Sequence, residues 1–342
     1  MQMENSRLDQ AMPQALRQAI TDKGHVSYAE FIRIAAFDPE EGYYSKAKTR
    51  VGQSVESDFY TAESLGEVFG RLVVAASIDL IGSETEAQEC SFVEIGAEPG
   101  RSVLDGVEHH FKETLTLRLG DVLEIPDTAI VFANEWLDAY PFHRVCFDSE
   151  KGWQELGVAM ANEECLEEIT LPKLTPPVQA IRGRLPETTS EGYVLDLTVD
   201  ATHALREVVR QSWHGAFLCF DYGKTWEELT HAHPSGTGRA YFRHQAEKNL
   251  LKNPGHQDLT CHLCWDFMVE TLQETGFKNI QVDRQESFFM HRAAPVIRDI
   301  MQNKRTGLDG DTQTLMELLH PARMGDAFQA LCAVRPGTLR DP

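Results

Sequence analysis

The sequence predicts a doubly wound, Rossmann-like α/β sheet with a helical N-terminal section and an inserted subdomain. Three observations predict it. Apolar runs at 93–96 (VEIG), 130–135 (IVFANE) and 216–223 (AFLCFDYG) each end in polar residues, as parallel strands buried on both faces do. Segments with apolar residues at helical spacing flank these runs. The first run breaks at once into Gly96-Ala97-Glu98-Pro99-Gly100, and in open parallel sheets ligands gather beyond the carboxyl ends of the strands.

The elements follow in order. Residues 7–23 have helical spacing and stop at Gly24. Ser27 caps a second helix, Glu30 completes a capping box, and Asp38-Pro39 stops the helix near Phe37. An irregular loop containing Tyr43 and Tyr44 runs to about Thr61, and a long amphipathic helix then reaches about Leu80. After the first sheet strand, the pattern predicts a helix over 102–111 and a short strand over 115–119. Residues 145–200 read as the insertion, with strands at 144–147 and 152–160, a Pro-rich stretch and the strand-like YVLDLTVDA. A helix over 201–212, the 216–223 strand, a loop (THAHPSGTGRAYFRHQ) and a helix at about 262–275 follow. KNIQVDR and FQALCAV are the last strands, with helices near 295–303 and 311–319 between them. The expected division is a helical section and covering loop over 1–82, and a seven-stranded sheet domain over 83–342 that holds the insertion.

Bulk properties narrow the function. The chain has 342 residues, 53 Asp and Glu against 32 Lys and Arg, and a formal net charge of -21, which argues against a broad nucleic-acid surface. No apolar run approaches the roughly 20 residues of a membrane helix. The N-terminus lacks the apolar core of a secretory signal, so a bacterial cytoplasmic location is expected. The seven cysteines are scattered, several inside apolar runs, as reduced core thiols would be.

Individual residues carry the chemistry. Glycine lets the backbone approach a nucleotide-like ligand, and a helix starting at Ser102 would offer free N–H groups. Glu94, just before the end of its strand, suits an adenosylmethionine site better than a pyrophosphate site, because phosphate repels carboxylate. The same turn is also what a plain strand-to-helix connection needs. The strand ends would present Glu94 and Gly96, Asn134 and Glu135, and Asp221, Tyr222 and Gly223 together. Glu135 and Asp138, three apart, would share a face of a helical turn, although Asn134 and Glu135 could equally cap the following helix. Tyr140, Phe142, Tyr222 and Tyr241 could wall a pocket or pack in the core. His244 or His262 could act as a base or as a structural hydrogen-bonder. Cys261-His262-Leu263-Cys264 has the spacing of half a zinc site but no second pair nearby, so no metal is expected.

The ordered set DPEEGYYS, SDFYTAESLGEVFG, VEIGAEPG, NEWLDAYPFHRV, FDYG, GRAYFRHQ, GHQDLTCHLCWDF and PARMGDAFQALCAV resembles the MidA family from about Phe31 to Val334. That family includes mitochondrial complex I assembly-factor methyltransferases and their bacterial relatives. The resemblance implies an S-adenosyl-L-methionine-dependent methyltransferase, and a divergent bacterial member of the family. Its acceptor would be a protein arginine, on a subunit of the respiratory-complex kind. It implies that Asp58, Phe59, Thr61 and Glu63 line the cofactor pocket with Glu94, Gly96 and Gly100. Asn134 would lie where cofactor and substrate meet, with Glu135, Asp138 and Asp221 as the catalytic carboxylates. Tyr222, Arg239, Tyr241 and His244 would face the acceptor.

The chain departs from the family pattern in two places. GAEPGRS replaces a denser glycine turn and Ser57 replaces a glycine, so both add bulk near the ligand. Only about thirty residues separate Gly100 from the 130–135 run, too few for the usual strand–helix–strand. Asp121 is the one well-spaced candidate for a ribose-binding carboxylate there. Two functions therefore compete: a protein methyltransferase, favoured by the retained NE, DYG and QDLT motifs, and a degenerate fold that only binds a partner, favoured by the deletion. A nucleotide-dependent oxidoreductase is disfavoured, since no full G-x-G-x-x-G is present.

Overall fold

A computed structural model of the chain describes residues 6–7, 11–45, 66–163, 165–242, 245–247, 249–302 and 310–337. These form two units, one of Met1–Phe59, Asp138–His203 and Lys224–Asp266, the other of Tyr60–Leu137, Ala204–Gly223 and Phe267–Pro342.

The second unit holds the main sheet. Its strands, numbered in chain order within this sheet, are β1 (Ser91–Ile95), β2 (Glu113–Leu117), β3 (Thr128–Asn134), β4 (His214–Asp221), β5 (Lys278–Arg284) and β6 (Gln329–Arg335). Their order across the sheet is β5-β6-β4-β3-β1-β2. The first four are mutually parallel, and β6 runs antiparallel between β4 and β5. This is the doubly wound architecture expected, with the three apolar runs as β1, β3 and β4. Phe92, Phe132 and Phe220 project from them into one core with Phe69 of the helix Glu67–Ile81 and with Phe288 and Phe289. The Phe92 and Phe132 rings stack with centroids 5.7 Å apart, and those of Phe220 and Phe289 with centroids 5.0 Å apart. Each fully buried side chain of this size contributes roughly 1.5–3 kcal/mol.

Two expectations for this unit are corrected. Six strands are found among the described residues, not seven. The 113–117 strand pairs directly with β1, so the element absent is the one that would lie outside it. The helix expected over 102–111 is replaced by short turns, with Asp105 N–H donating to Ser102 O and Val107 N–H to Leu104 O. Gly106 sits at φ +74, which interrupts a helix. Val103 O also approaches Gly70 so closely that a Cβ there would lie 2.2 Å away, so this segment packs directly on the helix Glu67–Ile81.

The first unit is built from the N-terminal helices Gln14–Lys23 and Tyr28–Phe37 and an antiparallel sheet. Gly24 ends the first helix at φ +79, and Ser27 Oγ accepts from Glu30 N–H at 3.1 Å. Ser6–Arg7, Cys165–Thr170, Gly152–Asn162, His143–Asp148 and Val194–Leu197 lie side by side in that order. The stretch expected as a loop, 230–245, contains the strand Arg239–Phe242, and the helix Trp226–His231 ends at its start. That strand pairs antiparallel with Gln245–Glu247 and Asp258–Thr260. The helix expected from 262 begins at Trp265, because Leu263–Cys264 is extended. No helix among the described residues is long and apolar enough to cross a membrane.

Candidate active site

The glycine turn lies at the carboxyl end of β1. Gly96 is at φ +83 and Gly100 at φ +74, conformations that favour glycine. A Cβ on Gly100 would meet nothing within 4 Å, whereas one on Gly96 would come within 3.0 Å of Trp136 Cδ1. Gly96 N–H donates to Leu117 O, so the turn is anchored to the neighbouring strand. Glu94 is buried and accepts from Ser102 Oγ at 2.6 Å and from Val103 N–H at 3.0 Å. Burial raises its pKa, and these donors partly offset the effect. Glu94 therefore binds one of the N–H groups, that of Val103, that a helix beginning at Ser102 would have offered to a ligand. Sequence reading missed Arg118, whose guanidinium donates to the carbonyls of Glu98 (3.4 Å) and Arg101 (3.1 Å) and braces the turn. Asp121 is exposed beyond β2, and its carboxylate accepts from Arg118 N–H at 2.8 Å.

At the ends of β3 and β4 the NEWLDAYP segment is fastened by Asp221. This fully buried carboxylate accepts from Leu137 N–H (3.0 Å) and Tyr222 N–H (2.8 Å), joining segments 84 residues apart. Tyr222 lies with its ring centroid 4.1 Å from that of Phe328. Glu135 has φ +48, an uncommon conformation for a residue with a side chain, and its N–H donates to Phe220 O. Asn134 Nδ2 donates to Glu135 Oε1 at 3.2 Å, while Asn134 Oδ1 is buried and has no hydrogen-bond partner among the described residues. Residues 135–140 form bends and a turn, followed by the strand His143–Asp148. Glu135 and Asp138 therefore do not share a helical face, and no helix follows for Asn134 and Glu135 to cap.

Asp138 belongs to the first unit. It is buried and accepts from Thr260 Oγ1 at 2.8 Å. Burial pushes its pKa up to about 6, despite that bond and one from the Ala139 N–H. Thr260 lies on the strand opposite Arg239, and Asp258 lies opposite Tyr241. Directly opposed residues of an antiparallel pair share a face. Asp258 is hydrogen-bonded to the Tyr44 hydroxyl, and burial beside this carboxylate holds the phenol well above its ordinary pKa. The alternate residues Ala240, Leu259 and Cys261 point into the apolar core, as does Phe142. The Arg239 strand is set in place by Asp196. Its buried carboxylate accepts from Arg144 Nε (2.9 Å) and from the N–H groups of Thr237 and Gly238 (2.7 Å each). Asp58, Phe59, Thr61, Glu63 and His244 lie outside the described residues.

The residues at the sheet edge fit a nucleoside cofactor. Gly100, with a left-handed backbone and open space where a Cβ would stand, leaves the main chain open to a close approach, and the Asn134 Oδ1, unpartnered among the described residues, is an acceptor awaiting a donor.

A parallel sheet closed by one antiparallel strand, with a glycine turn and an asparagine at its carboxyl edge, defines a cofactor-dependent enzyme of the methyltransferase class. Residues 101–282, more than half of the chain, match the family model described as "Putative S-adenosyl-L-methionine-dependent methyltransferase". The chain belongs to this family, the MidA-type S-adenosyl-L-methionine-dependent methyltransferases. It is similar to the "Protein arginine methyltransferase NDUFAF7 homolog, mitochondrial" of Drosophila melanogaster, with 23% identity over 96% of this chain and 86% of the fly protein. The corresponding protein of Xenopus tropicalis is 21% identical over 75% of this chain and 70% of its own length. A structure from Burkholderia thailandensis, solved bound to S-adenosyl-homocysteine, has the same fold. It superposes with a TM-score of 0.81 at 21% identity, covering 97% of each chain.

Proposed function

We propose that this chain transfers a methyl group to a guanidinium nitrogen of arginine in a protein substrate, with Asp138 as the proton acceptor. The observation that carries this reading is a buried carboxylate with its pKa near 6, four residues after Asn134 in the chain. The names of the fly and frog relatives supply the acceptor class. S-adenosyl-L-methionine, when bound, supplies a methyl on a sulfonium, and the carbon–sulfur bond breaks as the nitrogen–carbon bond forms.

The protein's own part is orientation and proton removal. Gly96, Gly100 and Asn134 hold the cofactor, with Asp58, Thr61 and Glu63 assigned to the same pocket by the family resemblance. Glu94 and Asp121 support the cofactor pocket through the loops they fasten. Asp221 positions the 134–138 segment. Asp138 and Asp258 grip the planar guanidinium, and Asp138 takes the proton that the methylated nitrogen releases. Glu135 remains a candidate second carboxylate. Tyr222, Tyr241, Arg239 and His244 are assigned to the acceptor side. The reaction is placed in the bacterial cytoplasm, on a subunit of the respiratory-complex kind.

The test is incubation of the full-length protein with methyl-tritiated S-adenosyl-L-methionine and a bacterial extract, followed by acid hydrolysis. Label is expected in methylarginine. Label confined to another amino acid, or none in protein while S-adenosyl-homocysteine still binds by calorimetry, overturns the acceptor.

A further inference from the structure

Just past the end of the strand that carries Asp258 and Thr260, the His262 N–H donates to Thr237 Oγ1, in the bend before the Arg239 strand. The charge character reverses there. His262 is surrounded by Lys224, Arg239 and His233, with the His233 and His262 ring centroids 6.1 Å apart. Burial first, and then Arg239 and Lys224, lower the His262 pKa to about 3, so its ring is neutral. Its Nδ1 is buried and has no hydrogen-bond partner among the described residues. Among the described residues, neither Lys224 nor Arg239 has an ion-pair partner within salt-bridge distance. Among the described residues Glu228 is the carboxylate facing this cluster, and it already accepts from Thr225 N–H (2.9 Å) and Thr225 Oγ1 (3.0 Å) in a capping box. Two cations beside a neutral imidazole, with Glu228 as the acidic group near Lys224, stand out in a chain with 53 acidic and 32 basic residues.

We propose that Lys224, Arg239 and His262 form a carboxylate-binding subsite, and that the acceptor protein carries an Asp or Glu two residues from the arginine it presents to Asp138. The spacing follows from the chain: Thr260, which touches Asp138, ends its strand, and His262 lies two residues on, about 7 Å for extended backbone. An extended acceptor segment places alternate side chains on one face with the same repeat. Arg239 and Lys224 supply charge, and the His262 ring supplies an N–H to a carboxylate oxygen. This inference rests on the arginine reading for its second half only, since the basic end binds a carboxylate whatever the acceptor is.

The test uses three end-blocked pentapeptides and the full-length protein, following the His262 and His233 ring resonances by NMR. Glu-Gly-Arg-Gly-Glu is expected to bind about tenfold more tightly than Gln-Gly-Arg-Gly-Gln, with the difference lost in the Lys224→Gln/Arg239→Gln double variant. Glu-Gly-Ala-Gly-Glu should still shift the His262 resonances in the wild type, which isolates the subsite from the acceptor. Equal binding of the first two peptides, or a preference that survives in the double variant, overturns the subsite. Tighter binding when phosphoserine replaces both glutamates reassigns it to phosphate and overturns the carboxylate. Methylation of the arginine peptides is scored separately. If they stay unmethylated while the glutamate preference holds, only the arginine reading falls.

Discussion

Buried carboxylates are used differently in the two units. At the sheet edge, Glu94 and Asp221 are bound to backbone N–H groups of other segments, so their charge fixes loop shape. In the other unit, Asp138 meets the hydroxyl of Thr260, a partner that can rotate, and burial brings its pKa into the range where a proton can be exchanged near neutrality. Chemical type and burial are the same in both places. What separates them is the backbone N–H of a distant segment that each brace holds, from Val103 at Glu94 and from Leu137 at Asp221, whereas the backbone donor to Asp138 is its neighbour Ala139. The lesson for reading such folds is that an invitingly placed carboxylate at a strand end can be wholly occupied with holding the chain.

The largest effect is expected at Asp221. Asp221→Ala leaves the Leu137 and Tyr222 N–H groups without their acceptor, and a loss of about 4 kcal/mol in urea unfolding is expected. A loss below about 1 kcal/mol would show that Asp221 is no brace.

The pH dependence is the next largest effect. The folded pKa of Asp138, about 6, lies above its ordinary value of 3.8, so the folded protein holds this proton more tightly than the unfolded chain. Its contribution to stability is therefore complete below pH 4 and is lost as pH rises to about 6, a change of about 3 kcal/mol. Comparing unfolding at pH 4 and pH 7 in the wild type and in Asp138→Asn isolates this contribution, which the variant should lack.

Third, Asp138→Asn should lower methyl transfer about 100-fold and remove a rise in rate through pH 6, while S-adenosyl-homocysteine affinity measured by calorimetry stays within threefold. Unchanged turnover would falsify its role as proton acceptor.

Gly96→Ala is the smallest of the four. It forces a side chain into a left-handed conformation and against Trp136, at an expected cost of about 1–2 kcal/mol, with weaker S-adenosyl-homocysteine binding. Equal weakening by Gly100→Ala would sharpen the picture, since there the strain acts with no neighbour to meet.

Much of the fold was legible because strongly apolar runs leave little choice. The sequences of β1, β3 and β4 suit only strands buried on both faces, and Ser27 with Glu30 marks a helix start by hydrogen bonding alone. The failures have local causes. The 102–111 segment has helical spacing, but Gly106 and the close approach to Gly70 decide its path, and the latter is a tertiary contact no spacing reveals. Arg239–Phe242 read as loop, and its partner Asp258–Thr260 was not singled out, because strands of three or four residues alternate too briefly to register. For the site, Asn134 and Asp138 were visible as a polar cluster after a strand. Arg118, Asp196 and Thr260 were not, because each matters through a partner distant in sequence.

The sheet's early stop at β2 also bears on how the protein avoids its own copies. An outermost strand exposes unpaired backbone along its free side, which invites another strand to dock. Here that border reads Glu113-Thr114-Leu115-Thr116-Leu117-Arg118, opening on a carboxylate and closing on a guanidinium, with Leu119 and Val122 largely exposed just beyond. Charge at the two ends of a short strand is the usual guard against such docking. Replacing Glu113 with an apolar residue would remove half of that guard and favour self-association along the border.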